Sequence, residues 1–308
     1  MLAACALALG SCSLNNPPGG EGRLSIATGG SGGVYQVYGG GVAEMLSANG
    51  HDTTAETTSA SVDNLFLLAD GDSDVAFSLA DTAIDAVKGQ DSFDQALPLR
   101  ALGTLYSNFT HVVAKKDSGI ETIEDLKGKT VSIGAPNSGT EVIGLRLMAV
   151  AGLDPDKDVT RRSMGVGESS SALREGSIDA FVWSGGLPTG AITDLATTDE
   201  IVLLPLDRYV PMLPERYGEA YQEAEVEKDE YPGVPPVKTI SVPNLLMVRA
   251  DMDDALAHDV IALMFEHKKE LAEVHPSAEK LELEDAQKVV EGVELHPGAE
   301  QYYREAEE

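Results

Sequence analysis

Thr28-Gly29-Gly30-Ser31-Gly32-Gly33-Val34-Tyr35 is the stretch from which the rest of the chain is read. Before it, Leu24-Ser25-Ile26-Ala27 has the apolar character of a buried strand. After it, Val34, Val37, Tyr38, Val42, Met45 and Leu46 fall near helical spacing and predict a helix over Val34–Leu46. A glycine-rich turn therefore joins a strand to a helix. Its glycines accept positive φ and let a ligand approach the main chain closely. The first N–H groups of a helix have no partner within it and sit at the positive end of its dipole, which favours an anion. Such a turn binds a carboxylate or phosphate, or it is a tight connection that binds nothing. The stretch alone leaves both open.

The same grammar returns in the second half. Thr130-Val131-Ser132-Ile133-Gly134 predicts a strand, Ala135-Pro136-Asn137-Ser138-Gly139-Thr140 a donor-rich turn, and Glu141–Val150 a helix with Ile143, Leu147 and Val150 on one face. Two such loops in two halves are expected to face one cleft. Between them, residues 53–57 predict a short strand. The stretch Thr58-Ser59-Ala60-Ser61-Val62-Asp63-Asn64 predicts a helix start, with Ser59 or Ser61 as the cap and Asp63 in the first turn. Asp74–Ser78 predicts a strand. Asp81, at the start of the next helix, is expected either to cap it or to meet a ligand ammonium. Leu99–Tyr106 and Thr110–Lys115 read as two separate β-rich runs.

Further on, Val159–Met164 predicts a strand and Glu168–Glu175 a helix. Ile178–Trp183 predicts a buried strand running into Ser184-Gly185-Gly186-Leu187-Pro188. Trp183 either covers an apolar part of a ligand or packs in the core. Residues 205–238 read as irregular structure around a short helix, and Thr239–Val248 as another strand. Met252–His275 reads as one long amphipathic helix in which Lys268 must snorkel, and a short acidic helix ends the chain. Strands alternate with helices throughout, which predicts an α/β fold with parallel sheets. No long linker separates two halves, so closely apposed lobes with more than one crossing are expected.

The chain has 308 residues, 43% of them hydrophobic, with a net charge of −29 from 51 acidic and 22 basic residues. A basic face for nucleic acid is not available from such a balance. The acidity reads as a solvated surface that keeps the protein in solution. Met1–Ser11 is an apolar run without the basic residues of a secretory signal, so a start further upstream is expected. Leu9-Gly10-Ser11-Cys12 has the form of a bacterial lipobox, with Cys12 as the lipidated residue. Leu2-Ala3-Ala4-Cys5 also fits, but the polar tether Ser13–Gly22 follows Cys12 directly. Both cysteines lie in this segment, which leaves the body without a disulfide or a thiol nucleophile.

Five motifs occur in a characteristic order. They are the opening loop, Ser59-Ala60-Ser61-Val62-Asp63-Asn64, Leu126-Lys127-Gly128-Lys129-Thr130-Val131, Asn137-Ser138-Gly139-Thr140-Glu141 and Leu295-His296-Pro297-Gly298-Ala299-Glu300. In this order the chain, over about residues 23–304, resembles the TAXI-type solute receptors of TRAP (tripartite ATP-independent periplasmic) transporters. The resemblance implies a type II periplasmic-binding fold: two α/β lobes, crossing hinge strands near 110–115 and 240–248, and a ligand cleft between them. It implies a glutamate-like, glutamine-like or C4–C5 carboxylate ligand and delivery to a TRAP membrane permease. It divides the chain into 1–22 (signal, lipobox and tether), 23–110 plus 243–308 (lobe I) and 111–242 (lobe II).

Mapped onto this chain, the implied ligand-binding residues are Gly30, Ser31, Gly32, Val34, Tyr35, Ser59, Ala60, Ser61 and Asp81 from the first lobe. The second lobe offers Asn137, Ser138, Gly139, Thr140, Trp183, Gly186 and Leu187. Leu79 and Ala80 stand where the family often has polar residues. A frequent family arginine aligns with Leu145, with Arg146 one position off. These departures imply a less polar pocket.

The alternative is an enzyme acting on a small anionic or phosphorylated substrate at the glycine-rich loop. Yet no G-x-G-x-x-G is in register, Gly128-Lys129-Thr130 precedes a strand rather than follows one, and no G-x-S-x-G elbow has partners. The six histidines, at 51, 111, 258, 267, 275 and 296, show no metal spacing and are expected mostly at the surface. No catalytic residue, metal or cofactor is expected.

Overall fold

The computed structural model describes residues 23–307. The expected lipobox, Cys5, Cys12 and the tether lie outside the described residues. In chain order, β1 (Arg23–Ala27), α1 (Val34–Ala48), β2 (Asp52–Glu56), α2 (Ser61–Asp70), β3 (Val75–Leu79) and α3 (Ala80–Lys88) alternate strand and helix. The long strand β4 (Leu99–Lys115) leads into a second such series. That series is β5 (Thr130–Ser132), α4 (Gly139–Val150), β6 (Thr160–Arg162), α5 (Val166–Glu175), β7 (Ala180–Gly185) and α6 (Gly190–Thr198). Then come β8 (Ile201–Leu203), α7 (Met212–Tyr217), β9 (Gln222–Val226) and β10 (Val237–Arg249). The helices α8 (Asp254–Glu266), α9 (Lys268–Val274), α10 (Leu283–Ala286) and α11 (Pro297–Ala306) finish the chain.

The strands join in one sheet of order β2-β1-β3-β10-β4-β7-β5-β6, with β8 on β4 and β9 on β10. The sheet has two halves built alike. In the first, β1 lies between β2 and β3 and is parallel to both. In the second, β5 lies between β6 and β7 and is parallel to both. Each trio is flanked by an antiparallel strand arriving from the other half: β10 beside β3, and β4 beside β7. β4 and β10 pair with each other through the middle. This is the architecture of a type II periplasmic-binding fold, an α/β protein of two lobes with two crossing strands. The loops after β1 and after β5 thus occupy equivalent places, at the carboxyl ends of the central strands, where open α/β sheets bind ligands.

Burial explains why these segments take these forms. β3 is buried along its whole length, and α1 buries Val34, Tyr38, Val42, Met45 and Leu46 of the predicted stripe together with Tyr35, while Val37 faces out. Gly71 and Gly89 close α2 and α3 in the left-handed conformation.

Four expectations need correction. The two runs at 99–106 and 110–115 are a single strand. Ser107, Asn108 and Phe109 stay in register with Pro243, Val242 and Ser241, so the polar interruption is paired rather than looped. The long C-terminal helix is broken at His267 into α8 and α9; Val260, Ile261, Met264 and Leu271 are all buried, while Lys268 leaves the stripe and meets Glu282 at 2.6 Å. The region read as irregular contains β9, which pairs with residues 237–241 of β10. Two histidines are interior: His111, on β4, meets the Tyr231 hydroxyl at 3.0 Å, and His296 caps α11 by accepting from the Gly298 N–H at 3.2 Å.

Candidate functional site

Four helix N-termini converge on one cavity between the halves. α1 contributes Gly33, Val34 and Tyr35, and α2 contributes Ala60 and Ser61. From the other half, α4 contributes Ser138, Gly139 and Thr140, and α5 contributes Gly165 and Val166. Gly29, Gly30, Ser59, Leu79, Asn108, Ala135, Trp183, Ser184 and Gly185 complete the wall. None of these residues is charged. The cap positions of α1, α2 and α5 (Gly33, Ala60 and Gly165) make no side-chain capping bond, which leaves N–H groups of their first turns available, in α2 those of Ser61 and Val62 because the Asp63 N–H donates to the Asn137 carbonyl. Of these four, only α4 has a side-chain cap: the Ser138 hydroxyl accepts from the Glu141 N–H at 3.1 Å. The cavity measures about 40 Å³. On that measure a single water needs roughly 10–15 Å³, so the closed site suits a few heavy atoms.

The two opening loops use glycine where the turn demands it: Gly32 has φ 84° and Gly134 has φ 103°. Behind α2, the buried Asn64 amide donates to the carbonyls of Thr28 and Phe77, both at 2.7 Å, and pins the helix to the ends of β1 and β3. The expected serine caps of α2 are absent. Instead Asp63 accepts from the Ser59 N–H at 3.1 Å, and the Ser61 hydroxyl accepts from the Leu79 N–H at 3.1 Å.

A buried polar chain runs under the cavity from one half to the other. The Tyr35 hydroxyl donates to Asn244 Oδ1 at 2.5 Å. Asn244 donates to Asn108 Oδ1 at 2.9 Å, and Asn108 to the Ser184 carbonyl at 3.2 Å. The Ser184 N–H then donates to Thr140 Oγ1 at 3.2 Å. Burial raises the Tyr35 pKa, so this hydroxyl stays neutral. Trp183, half-buried in the wall, donates its indole N–H to Thr189 at 2.9 Å and so offers the site only its ring.

Of the residues expected in the site, Gly30, Val34, Tyr35, Ser59, Ala60, Ser61, Ser138, Gly139, Thr140 and Trp183 line this cavity. Ser31 and Gly32 sit exposed at the loop tip and approach the opposite half: a Cβ on Gly32 would stand 3.5 Å from Ala191, and one on Gly167 would stand 3.6 Å from the Ser31 carbonyl. Asn137, at φ 60°, has its carbonyl bound by the Asp63 N–H at 3.1 Å, a second contact between the halves. Gly186 packs against Ser277, Tyr106 and Val34, and neither it nor Leu187 is in the wall.

Asp81 is the main correction. It lies inside α3, whose cap position is Leu79, where one carboxylate oxygen accepts from the first-turn N–H of Thr82 at 2.7 Å, and it does not line the cavity. It is 1% exposed, and its carboxylate accepts from the Tyr221 hydroxyl at 2.6 Å and pairs with Arg146 at 3.4 Å. Arg146, from α4, also meets Asp85 at 2.5 Å, Asp91, the Tyr221 hydroxyl at 2.8 Å and the face of Tyr217 at 4.7 Å. The position one off the family arginine thus anchors an ion cluster between α3 and α4, across the halves. Burial works against the Arg146 charge, but Tyr221, Asp81 and Asp85 outweigh it and hold its pKa up. Burial pushes Asp85 up to about 6, against the pull of Arg146.

Sequence reasoning missed Asn108 because Ser107-Asn108 read as a gap between strands; a polar pair inside an apolar run was itself the signal. It missed Gly165-Val166, although the rule that found the first two loops also fits this third strand-to-helix turn. Among the described residues, no group of His, Cys, Asp and Glu side chains could hold a metal, and no helix is long and apolar enough to cross a membrane.

The fold is shared with solved structures. A protein of Bordetella bronchiseptica RB50 is similar over 92% of this chain and 89% of its own, with 19% identity and a TM-score of 0.53. The alkanesulfonate-binding protein SsuA of Xanthomonas axonopodis pv. citri, bound to MOPS, matches 92% of this chain and 83% of its own at 16% identity and a TM-score of 0.49. The periplasmic aliphatic sulphonate binding protein SsuA of Escherichia coli matches 84% and 77% at 14% identity and a TM-score of 0.48. The model of the NMT1-like family matches residues 26–306, and the chain belongs to that family.

Proposed function

We propose that the protein is an extracytoplasmic solute receptor that closes two lobes around a small organic anion or amino acid and presents it to a membrane permease. The observation that carries this reading is the convergence of four helix N-termini, two from each half, on an interlobe cavity with no charged side chain in its wall. Backbone N–H groups and hydroxyls there hold an anion without a bound water shell.

In this reading lobe I is 23–110 plus 243–308, lobe II is 111–242, and their closure is the state that a permease reads. The ordered motifs favour a TRAP permease as the partner, and Cys12 is the lipid anchor that keeps the receptor at the outer face of the membrane. The test is thermal denaturation of the body with glutamate, glutamine, 2-oxoglutarate, succinate and branched-chain acids. A true ligand at about 100 times its Kd adds about 2.7 kcal/mol and raises the midpoint. Silence across these and broader acids refutes the receptor, and turnover of any of them favours the enzyme.

A further inference from the structure

Resting on the receptor reading, the geometry points to a ligand class narrower than that reading requires: we infer that the cavity takes a short organic anion that carries no ammonium group. Three observations bear on the charge of the ligand, and they are independent of one another.

The first is an unpartnered hydroxyl. Ser184 lines the cavity and is 5% exposed, yet its hydroxyl has no hydrogen-bond partner among the described residues. A buried hydroxyl without a partner costs free energy that a ligand oxygen would recover. The second is the polarity of the other hydroxyls. Ser138 Oγ accepts from the Glu141 N–H and Thr140 Oγ1 accepts from the Ser184 N–H. Each oxygen accepts one bond from the chain, and its proton is left to donate into the site. With the free N–H groups at the starts of α1, α2 and α5, the wall offers donors from both lobes.

The third observation concerns the missing counter-ion. Recognition of an amino acid needs an acceptor for its ammonium, normally a carboxylate. The wall contains no carboxylate. The acid nearest in sequence to the wall residue Leu79 is Asp81, and its carboxylate is committed to Arg146 and Tyr221 behind the cavity. A buried ammonium would face four positive helix ends with no compensating charge. Leu79, Val34, Val166 and the Trp183 ring instead offer apolar surface to a short hydrocarbon part.

The experiment uses ligand pairs that differ in the ammonium alone: propionate and alanine, glutarate and glutamate, 4-methylpentanoate and leucine. Trp183 is the single tryptophan of the sequence and sits in the wall, so its fluorescence reports occupancy directly, with calorimetry as a second readout. The inference expects at least one acid to bind, and to bind at least tenfold tighter than its amino counterpart. It also expects the amide of that acid to bind at least tenfold more weakly than the acid. Ser184→Ala should weaken that acid about tenfold while leaving the unfolding midpoint of the free protein within a few degrees.

An amino acid that equals or exceeds its counterpart overturns the ligand class and leaves the receptor standing. An amide that equals the acid overturns the anion. Ser184→Ala with unchanged affinity removes Ser184 from recognition. Silence of every pair, together with silence in the wider panel above, overturns the receptor itself and this inference with it.

Discussion

Arg146→Met is the substitution that tests the structural logic most directly. Arg146 is 5% exposed and holds Asp81 and Asp85, which are 1% and 2% exposed. Methionine keeps much of the packing volume but leaves two buried carboxylates without a counter-ion. Breaking a buried pair in this way costs about 3–5 kcal/mol. Tyr221 still donates to Asp81, and Asp85, already raised to about 6, takes up a proton at little further cost once Arg146 is gone, so the loss should fall toward the lower end. For a chain of this size each kcal/mol moves the midpoint by about 2–4 °C, which predicts a fall of roughly 6–12 °C. The triple variant Asp81→Asn, Asp85→Asn, Arg146→Met removes charge on both sides and should recover most of that loss. Urea and thermal unfolding of the three proteins supply the comparison. A loss below about 1 kcal/mol for Arg146→Met, or a triple variant no better than the single one, refutes the account of a charge-compensated bridge between α3 and α4.

The same cluster sets a pH dependence. Asp85 is raised by burial to about 6 from the ordinary 3.8, so between those values the folded protein holds a proton that the unfolded chain has lost. The contribution of Asp85 therefore favours folding at low pH and fades as pH rises from about 4 to 6, by up to about 3 kcal/mol. Relative to the wild type, Asp85→Asn should gain stability on going from pH 4 to pH 7.5, and a relative loss over that interval would contradict the argument. Gly139→Ala should act on closure. Its Cβ would stand 2.5 Å from Leu79 Cδ1 and 2.7 Å from Ser61 Oγ, both in the opposite half. Overpacking of this kind costs about 1–3 kcal/mol, so ligand affinity should fall by about tenfold, read by the same fluorescence titration. Unchanged affinity would mean that the halves do not approach at this point in the bound state.

Much of the site was legible before the fold was known, for a local reason. A strand ending in a glycine-rich or serine-rich turn ahead of a helix is written in consecutive residues, and so Gly30, Ser61, Ser138, Gly139 and Thr140 could be named. The helix ends Gly71 and Gly89 were legible for the same reason. What failed needed partners distant in sequence. Asn108 looked like a break because its partners, Asn244 and the Ser184 carbonyl, are 136 and 76 positions away. Asp81 looked available because nothing beside it reveals Arg146, 65 positions on, or Tyr221, 140 positions on. His111 and His296 looked like surface residues because Tyr231 and the α11 cap that hold them are visible only in the folded chain or from cap geometry.

The sequence by itself determined that this chain alternates strands and helices, that its two halves repeat one turn, and that each turn ends in uncommitted backbone donors. Those are properties of neighbouring residues, fixed by steric preference and by the helix dipole. Only the tertiary structure decided that four such helix starts meet in one cavity, that β4 and β10 cross to bring them together, and that the nearby carboxylate of Asp81 is turned away into an ion cluster. Charge in a protein interior is settled by whichever partner burial brings within hydrogen-bond reach, and that partner comes from another part of the chain.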